Sequence, residues 1–165
     1  MQGKQRGRSQ ASESAAMNFS KITDYLYIGT TPKANDYDLL RELGVRLVLN
    51  MRFGFPPWRD PHSPALKTVW LPVIDSPLFP IPMRALQSGV EKALKTIESG
   101  GVVYTHCSRG RHRGPAMGAC ILIAQGMLPE EAMQLIERQR PIAYPHAWYI
   151  QRRIMEFAHK WGERQ

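Results

Sequence analysis

The chain of 165 residues holds little cysteine, no long apolar run and no apolar leader, and each shortage excludes something. Its two cysteines, Cys107 and Cys120, stand thirteen positions apart on what reads as one strand-loop-helix unit, so they give no disulfide framework and suit a reducing compartment. The longest strongly apolar stretch, Ala119 to Ala124, is far too short to cross a bilayer. The N-terminus lacks the hydrophobic segment of a secretory signal, and the expectation is a cytoplasmic protein with no transmembrane segment.

What is present is ordinary for a globular chain: 43% hydrophobic and 22% charged residues. A domain of this length buries roughly two thirds of its unfolded surface, enough for a core without staples. The formal net charge of +8 favours anionic partners, although it chooses no class among them. Nucleic acid is the weakest of these, because no aromatic stacking platform is interleaved with the basic residues. Residues 1–17 are rich in Gln, Ser, Gly, Lys and Arg without apolar period and are expected to be a disordered basic tail; residues 18–165 are expected to form one catalytic domain.

From Tyr25 the pattern alternates. Tyr25 to Gly29 reads as a strand and Asp36 to Leu43 as a short helix closed by Gly44. Arg46 to Leu49 and Thr68 to Leu71 read as strands separated by a proline-rich, aromatic loop. Four prolines between Leu71 and Pro82 make the next stretch an extended loop, which carries Asp75. Leu86, Val90, Leu94 and Ile97 mark a helix over 83–99, and Gly100-Gly101 ends it. Val102 to Thr105 is a continuous apolar run, the pattern of a parallel strand covered on both faces. Helices follow at Ala116 to Gln125, from Pro129, and from about Ala147 to Trp161. The sum is an α/β fold of three layers, with a central, mostly parallel twisted sheet of four to five strands flanked by helices.

The chemistry concentrates in His106-Cys107-Ser108-Arg109-Gly110-Arg111-His112-Arg113-Gly114, between a buried strand and a buried helix. A strand-to-helix turn aims successive N–H groups inward and adds the positive end of the helix dipole, so it can hold a phosphate without a metal or other cofactor. The same field favours the thiolate, the nucleophilic form of Cys107. The planar guanidinium of Arg113 can bind two phosphoryl oxygens at once. Ser108, Arg109, Gly110, Arg111, His112 and Gly114 complete the substrate-binding loop, and His106 is expected to support it rather than act as base. Cys120, inside an apolar run, reads as a small core residue.

His106-Cys107, Gly110 and Arg113 match the His-Cys-x-x-Gly-x-x-Arg signature, and the chain resembles the compact dual-specificity group of the cysteine-dependent protein tyrosine phosphatase superfamily. The resemblance runs from about Tyr25 to Phe157 and includes the Leu-Tyr-Ile-Gly opening and the Arg140-Pro141 pair. It implies a phosphocysteine intermediate and an aspartate acid on a loop about thirty residues before the cysteine. Asp75 stands 32 residues before Cys107 and is the only acid between Asp60 and Glu91. Two positions depart from the family pattern. Gly114 stands where most members carry Ser or Thr, which implies slow breakdown of the phosphoenzyme. His146 stands where an asparagine often braces the loop. The expected substrate is a phosphorylated protein. The alternatives are a non-protein phosphomonoester (phosphoinositide, phosphatidylglycerophosphate or an RNA 5′ phosphate) and a slow or silent phosphate-binding module.

Overall fold

The computed structural model describes residues 16–165. The expected disordered tail therefore lies almost wholly outside the described residues. Met17, its last position, is partly buried against the core.

Five strands form one sheet in the order β1-β2-β5-β3-β4. They are β1 (Phe19–Thr23), β2 (Leu26–Gly29), β3 (Val45–Arg52), β4 (Lys67–Val73) and β5 (Val102–His106). β1 is antiparallel to β2, and every other pairing is parallel. β5 lies at the centre with every residue buried, as its unbroken apolar run requires when both faces are covered.

Alternation along β3 sorts the two faces. Leu47, Leu49 and Met51 point into the larger core, beneath α2 (Met83–Glu98), α3 (Arg113–Ala124), α4 (Pro129–Gln139) and α5 (Trp148–Gly162). Val48 points the other way and joins Tyr27, Val102 and Tyr104 under Tyr37 and Leu40 of α1 (Tyr37–Glu42). The three layers are thus unequal, four helices against one short one. α3 is buried along nearly its whole length, and it packs closely on β2 at Gly118, where a Cβ would stand 2.6 Å from Cδ1 of Ile28.

β3 and β4 run a few residues past the expected Leu49 and Leu71, to Arg52 and Val73, and two further elements differ from the sequence expectation. β1 was not expected. Only Ile22 of its five residues is buried, and pairing with β2 rather than an apolar period makes it a strand. α3 starts at Arg113, three residues before Ala116, because Pro115 falls in the first turn, where an N–H has no helical acceptor.

The loop between β3 and β4 is pinned most heavily at Asp60. The Asp60 side chain is buried and accepts from the Arg41 guanidinium and from the backbone N–H groups of His62 (3.0 Å) and Leu66 (2.7 Å). Burial opposes its charge, but these donors outweigh it and hold the carboxyl well below the usual carboxylate range. In register, Gly29 of β2 and Asn50 of β3 both pair with His106, so three strand ends meet where the phosphate loop begins.

Candidate active site

The loop from Cys107 to Arg113 links β5 to α3, and its shape is fixed from behind. The Arg140 side chain, 2% exposed as a residue, donates from Nε to the carbonyl of Gly110 (2.8 Å) and from Nη2 to that of Arg109 (2.9 Å). The backbone N–H of Tyr144 takes the carbonyl of Arg111 at 2.8 Å. A trans peptide holds C=O and N–H on opposite sides, so capturing three successive carbonyls outside turns the N–H groups of Gly110, Arg111 and His112 toward the inside. Gly110 makes this possible with a φ of +61°, and a Cβ there would stand 2.7 Å from Arg140 and 2.8 Å from the Gly29 carbonyl. Arg140 is itself tied to Asn18 (2.9 Å) and Ser20 (3.1 Å), which couples the loop to the start of the sheet.

Inside the loop lies a pocket of about 250 Å³, lined by Asp75, Cys107, Ser108, Arg109, Arg111, His112 and Arg113. Cys107 is buried and its carbonyl accepts from the Thr31 hydroxyl at 3.3 Å; that hydroxyl in turn accepts from Arg52 at 3.1 Å. Arg113 uses Nη1 on the carbonyls of Val73 (2.9 Å) and Met51 (3.4 Å), which anchors the guanidinium to the ends of β4 and β3. Its Nε is buried and has no protein partner, so that edge keeps a donor for an anion.

Of the positions expected to bind substrate, Ser108, Arg109 and Arg111 are exposed at the rim, and the Arg111 guanidinium lies 6.0 Å from the Tyr144 ring. Gly114 is buried behind the cysteine. A Cβ there would meet only ordinary contacts, 3.5 Å from the Cys107 nitrogen and from His106. His106 is buried with Nδ1 unpartnered. Burial first, then the positive charge of Arg52 and Arg113, pushes its pKa down to about 3 against a hydrogen bond with Cys107. It is held neutral, with little affinity for a proton.

Asp75 comes from the proline-rich loop to the pocket's edge and is held at both oxygens. Oδ2 lies 3.0 Å from His112 Nδ1, Oδ1 accepts from the Tyr149 hydroxyl at 2.8 Å, and that hydroxyl is 3.2 Å from the same His112 nitrogen. Burial alone would raise the Asp75 pKa, but the His112 and Tyr149 hydrogen bonds and the nearby charge of His112 and Arg113 bring it below the ordinary value. Burial and the Asp75 carboxylate push the Tyr149 phenol up to about 12, so it stays a donor.

Two roles escaped the sequence reading. The Arg140 brace was visible only as a motif pair, and Tyr149 carried no signal at all. His146 does not brace the loop: its Nδ1 lies 2.6 Å from Glu137 and its Nε2 3.1 Å from Glu130, both on α4, and its pKa is raised chiefly by Glu137. Cys120 is fully buried and its thiol is pushed up by burial, as befits a core residue. Among the described residues neither cysteine is in a disulfide, no cluster of three His, Cys, Asp or Glu forms a metal site, and no helix is long and apolar enough to cross a membrane.

No protein-family model matches the chain. It is 27% identical over 135 residues to dual specificity protein phosphatase 1B of Arabidopsis thaliana, spanning 81% of this chain and 78% of that protein. Over 76 residues it is 40% identical to the human phosphatidylglycerophosphatase and protein-tyrosine phosphatase 1, covering 46% of this chain and 37% of that one. The crystal structure of human DUSP28 superposes with a TM-score of 0.77 over 91% of this chain and 98% of its own, at 21% identity, and shows the same fold. By sequence the chain is thus similar to these phosphatases, and by fold to human DUSP28.

Proposed function

We propose that the protein hydrolyses phosphomonoesters through a phosphocysteine intermediate, with phosphorylated protein as the substrate. The observation that carries this reading is the ring of inward N–H groups around Cys107, closed by the Arg113 guanidinium and faced by Asp75. Such a ring stabilises the equatorial oxygens during in-line displacement. The Cys107 thiolate attacks phosphorus, the ester P–O bond breaks, and Asp75 gives its proton to the departing oxygen. Asp75, now a carboxylate, then takes a proton from the water that attacks phosphorus, and the S–P bond breaks to return the thiolate and inorganic phosphate.

The depressed pKa of Asp75 favours its carboxylate before substrate binds. A phosphate dianion in the ring adds negative charge beside it, which raises the carboxyl's proton affinity when the acid is needed. Turnover of esters with poor leaving groups therefore falls as pH rises through the Asp75 pKa of the complex.

The test is hydrolysis of para-nitrophenyl phosphate by the wild type and by Cys107→Ser, in the presence of EDTA. Turnover that survives EDTA and vanishes in Cys107→Ser is expected. Phosphate binding without turnover would replace the enzyme with a binding module.

A second reading has its own support: one relative is named for phosphatidylglycerophosphate, and Arg109 and Arg111 place extra cations at the rim. A non-protein phosphoester with several charges would use them. Phosphopeptides and phosphatidylglycerophosphate at equal concentration separate the two readings.

A further inference from the structure

Beside the phosphate pocket lies a second cleft of about 190 Å³, lined by Pro77, Pro80, Trp148, Tyr149, Arg152 and Arg153. We propose that this cleft is the leaving-group subsite, and that it takes a planar, apolar ring system bearing a carboxylate.

The proposal rests on the phosphatase reading above and deepens it. In an in-line displacement the leaving oxygen departs on the side opposite sulfur, and the acid must lie within hydrogen-bond reach of it. Asp75 marks that side. Its Oδ1 is held by the Tyr149 hydroxyl at 2.8 Å, and the same tyrosine forms a wall of the cleft. Tyr149 is thus the partition between the place where the ester bond breaks and the cleft into which the freed alcohol's body would extend.

The walls define the ligand's chemistry. Pro77 and Pro80 offer pyrrolidine rings, which present apolar surface and no N–H donor. Facing them, Trp148 is 64% exposed and meets the Tyr149 ring edge-on, with centroids 5.8 Å apart. An aromatic surface this open gains by covering a flat group. The turn between the prolines extends the apolar surface outward, with Leu78 83% and Phe79 57% exposed; the Phe79 N–H bonds the Ser76 carbonyl at 3.3 Å. The two arginines differ. Arg153 is committed to the Ile81 carbonyl (2.9 Å) and to Glu156, whereas Arg152 is exposed at the mouth. Its guanidinium suits an anionic substituent carried by the ring, and a carboxylate fits its geometry.

The experiment compares phenyl phosphate, 2-naphthyl phosphate and a carboxylated naphthyl phosphate as substrates. Trp148→Ala should lower the naphthyl-to-phenyl ratio of kcat/KM by about 10-fold, as expected for the loss of one good stacking surface. Arg152→Gln should lower the carboxylated-to-plain naphthyl ratio by about 3-fold, the size of an exposed ion pair, and remove its salt dependence. Arg84→Gln, on a separate cleft, should move neither ratio. Unmoved ratios in both subsite variants would overturn the proposal while leaving the phosphatase reading intact. If no aryl phosphate turned over, that reading would fail instead. The subsite would then be read from calorimetric binding of the same compounds to Cys107→Ser with and without Trp148→Ala, with the same ratios expected. A preference for phosphatidylglycerophosphate in vesicles over every aryl phosphate, indifferent to Trp148→Ala, would also overturn it.

Discussion

The phosphate loop and the turn that carries Asp75 face each other across one pocket, yet they are held in different ways. The loop is gripped through its main chain by a buried guanidinium and a backbone N–H, which leaves the Cys107 thiol and the Arg113 Nε facing the ligand's place. Asp75 is gripped through its side chain, by His112 and Tyr149, and the turn beyond it is open to solvent. Charge stabilisation needs fixed dipoles that do not reorganise during reaction. Proton transfer needs a group whose environment changes with the substrate, and a hydrogen-bonded carboxylate near solvent supplies that.

Damage to the loop's brace should therefore have the largest effect, on stability and activity together. Arg140→Met leaves the Arg109 and Gly110 carbonyls without their buried donor, and the expected cost is about 2 to 5 kcal/mol in denaturant unfolding. With the N–H ring loosened, kcat/KM should drop by about 10³-fold. Asn18→Ala removes one outer tie only, and should cost about 1 kcal/mol. A normal unfolding midpoint in Arg140→Met would show that the loop holds its own shape.

Asp75→Asn comes next and should separate the two regions cleanly. Stability is expected to stay within about 0.5 kcal/mol, because the side chain is near the surface. Turnover of alkyl phosphates should fall by about 10²-fold, and that of para-nitrophenyl phosphate, whose leaving group scarcely needs a proton, much less. Equal losses on both substrates would remove Asp75 from the acid's role.

The same contrast explains what the sequence made legible. The loop is local: cysteine, glycine and arginine sit within seven residues, and a continuous apolar strand and helix on either side locate them in the fold. Asp75 could be found because competing acids are absent for thirty positions around it. The brace and the clamp are not local. Arg140 reaches back 30 residues to Gly110 and Tyr149 reaches 74 to Asp75, distances at which no spacing rule links two side chains. Tyr149 also sits in an amphipathic helix, where a half-buried aromatic reads as packing. β1 was missed for a related reason, since its identity comes from the partner strand and not from its own alternation.

A smaller effect, of opposite sign, is expected at Gly114. A serine Cβ there meets nothing closer than 3.5 Å, so the side chain fits and brings a hydroxyl behind the cysteine. A hydrogen bond to the departing thiolate should speed phosphoenzyme breakdown by about 10-fold. Rapid-mixing measurements on a good leaving group should show a burst followed by slow turnover in the wild type, and a diminished burst with faster turnover in Gly114→Ser. No burst in the wild type would mean that the missing hydroxyl does not limit the second step.

Tyr149→Phe should give the smallest change, and its sign tests how Asp75 is controlled. Of the charged and titratable groups around Asp75, those that act on it most are His112 and Arg113 from the loop and the start of α3, and Tyr149 from α5. The Tyr149 hydroxyl donates to the carboxylate, so it favours the anion and lowers the pKa of Asp75. Removing it leaves the ring in place and raises that pKa. Because Asp75 must be protonated to act, the alkaline limb of the pH–rate profile should move to higher pH. The plateau rate with alkyl phosphates should fall by roughly 3- to 10-fold as the carboxyl loses one of its two anchors. A tyrosine that only packed would leave both the plateau and the limb where they are. In an Asp75→Asn background the same substitution should have little further effect, since a clamp with no acid to hold has nothing left to position.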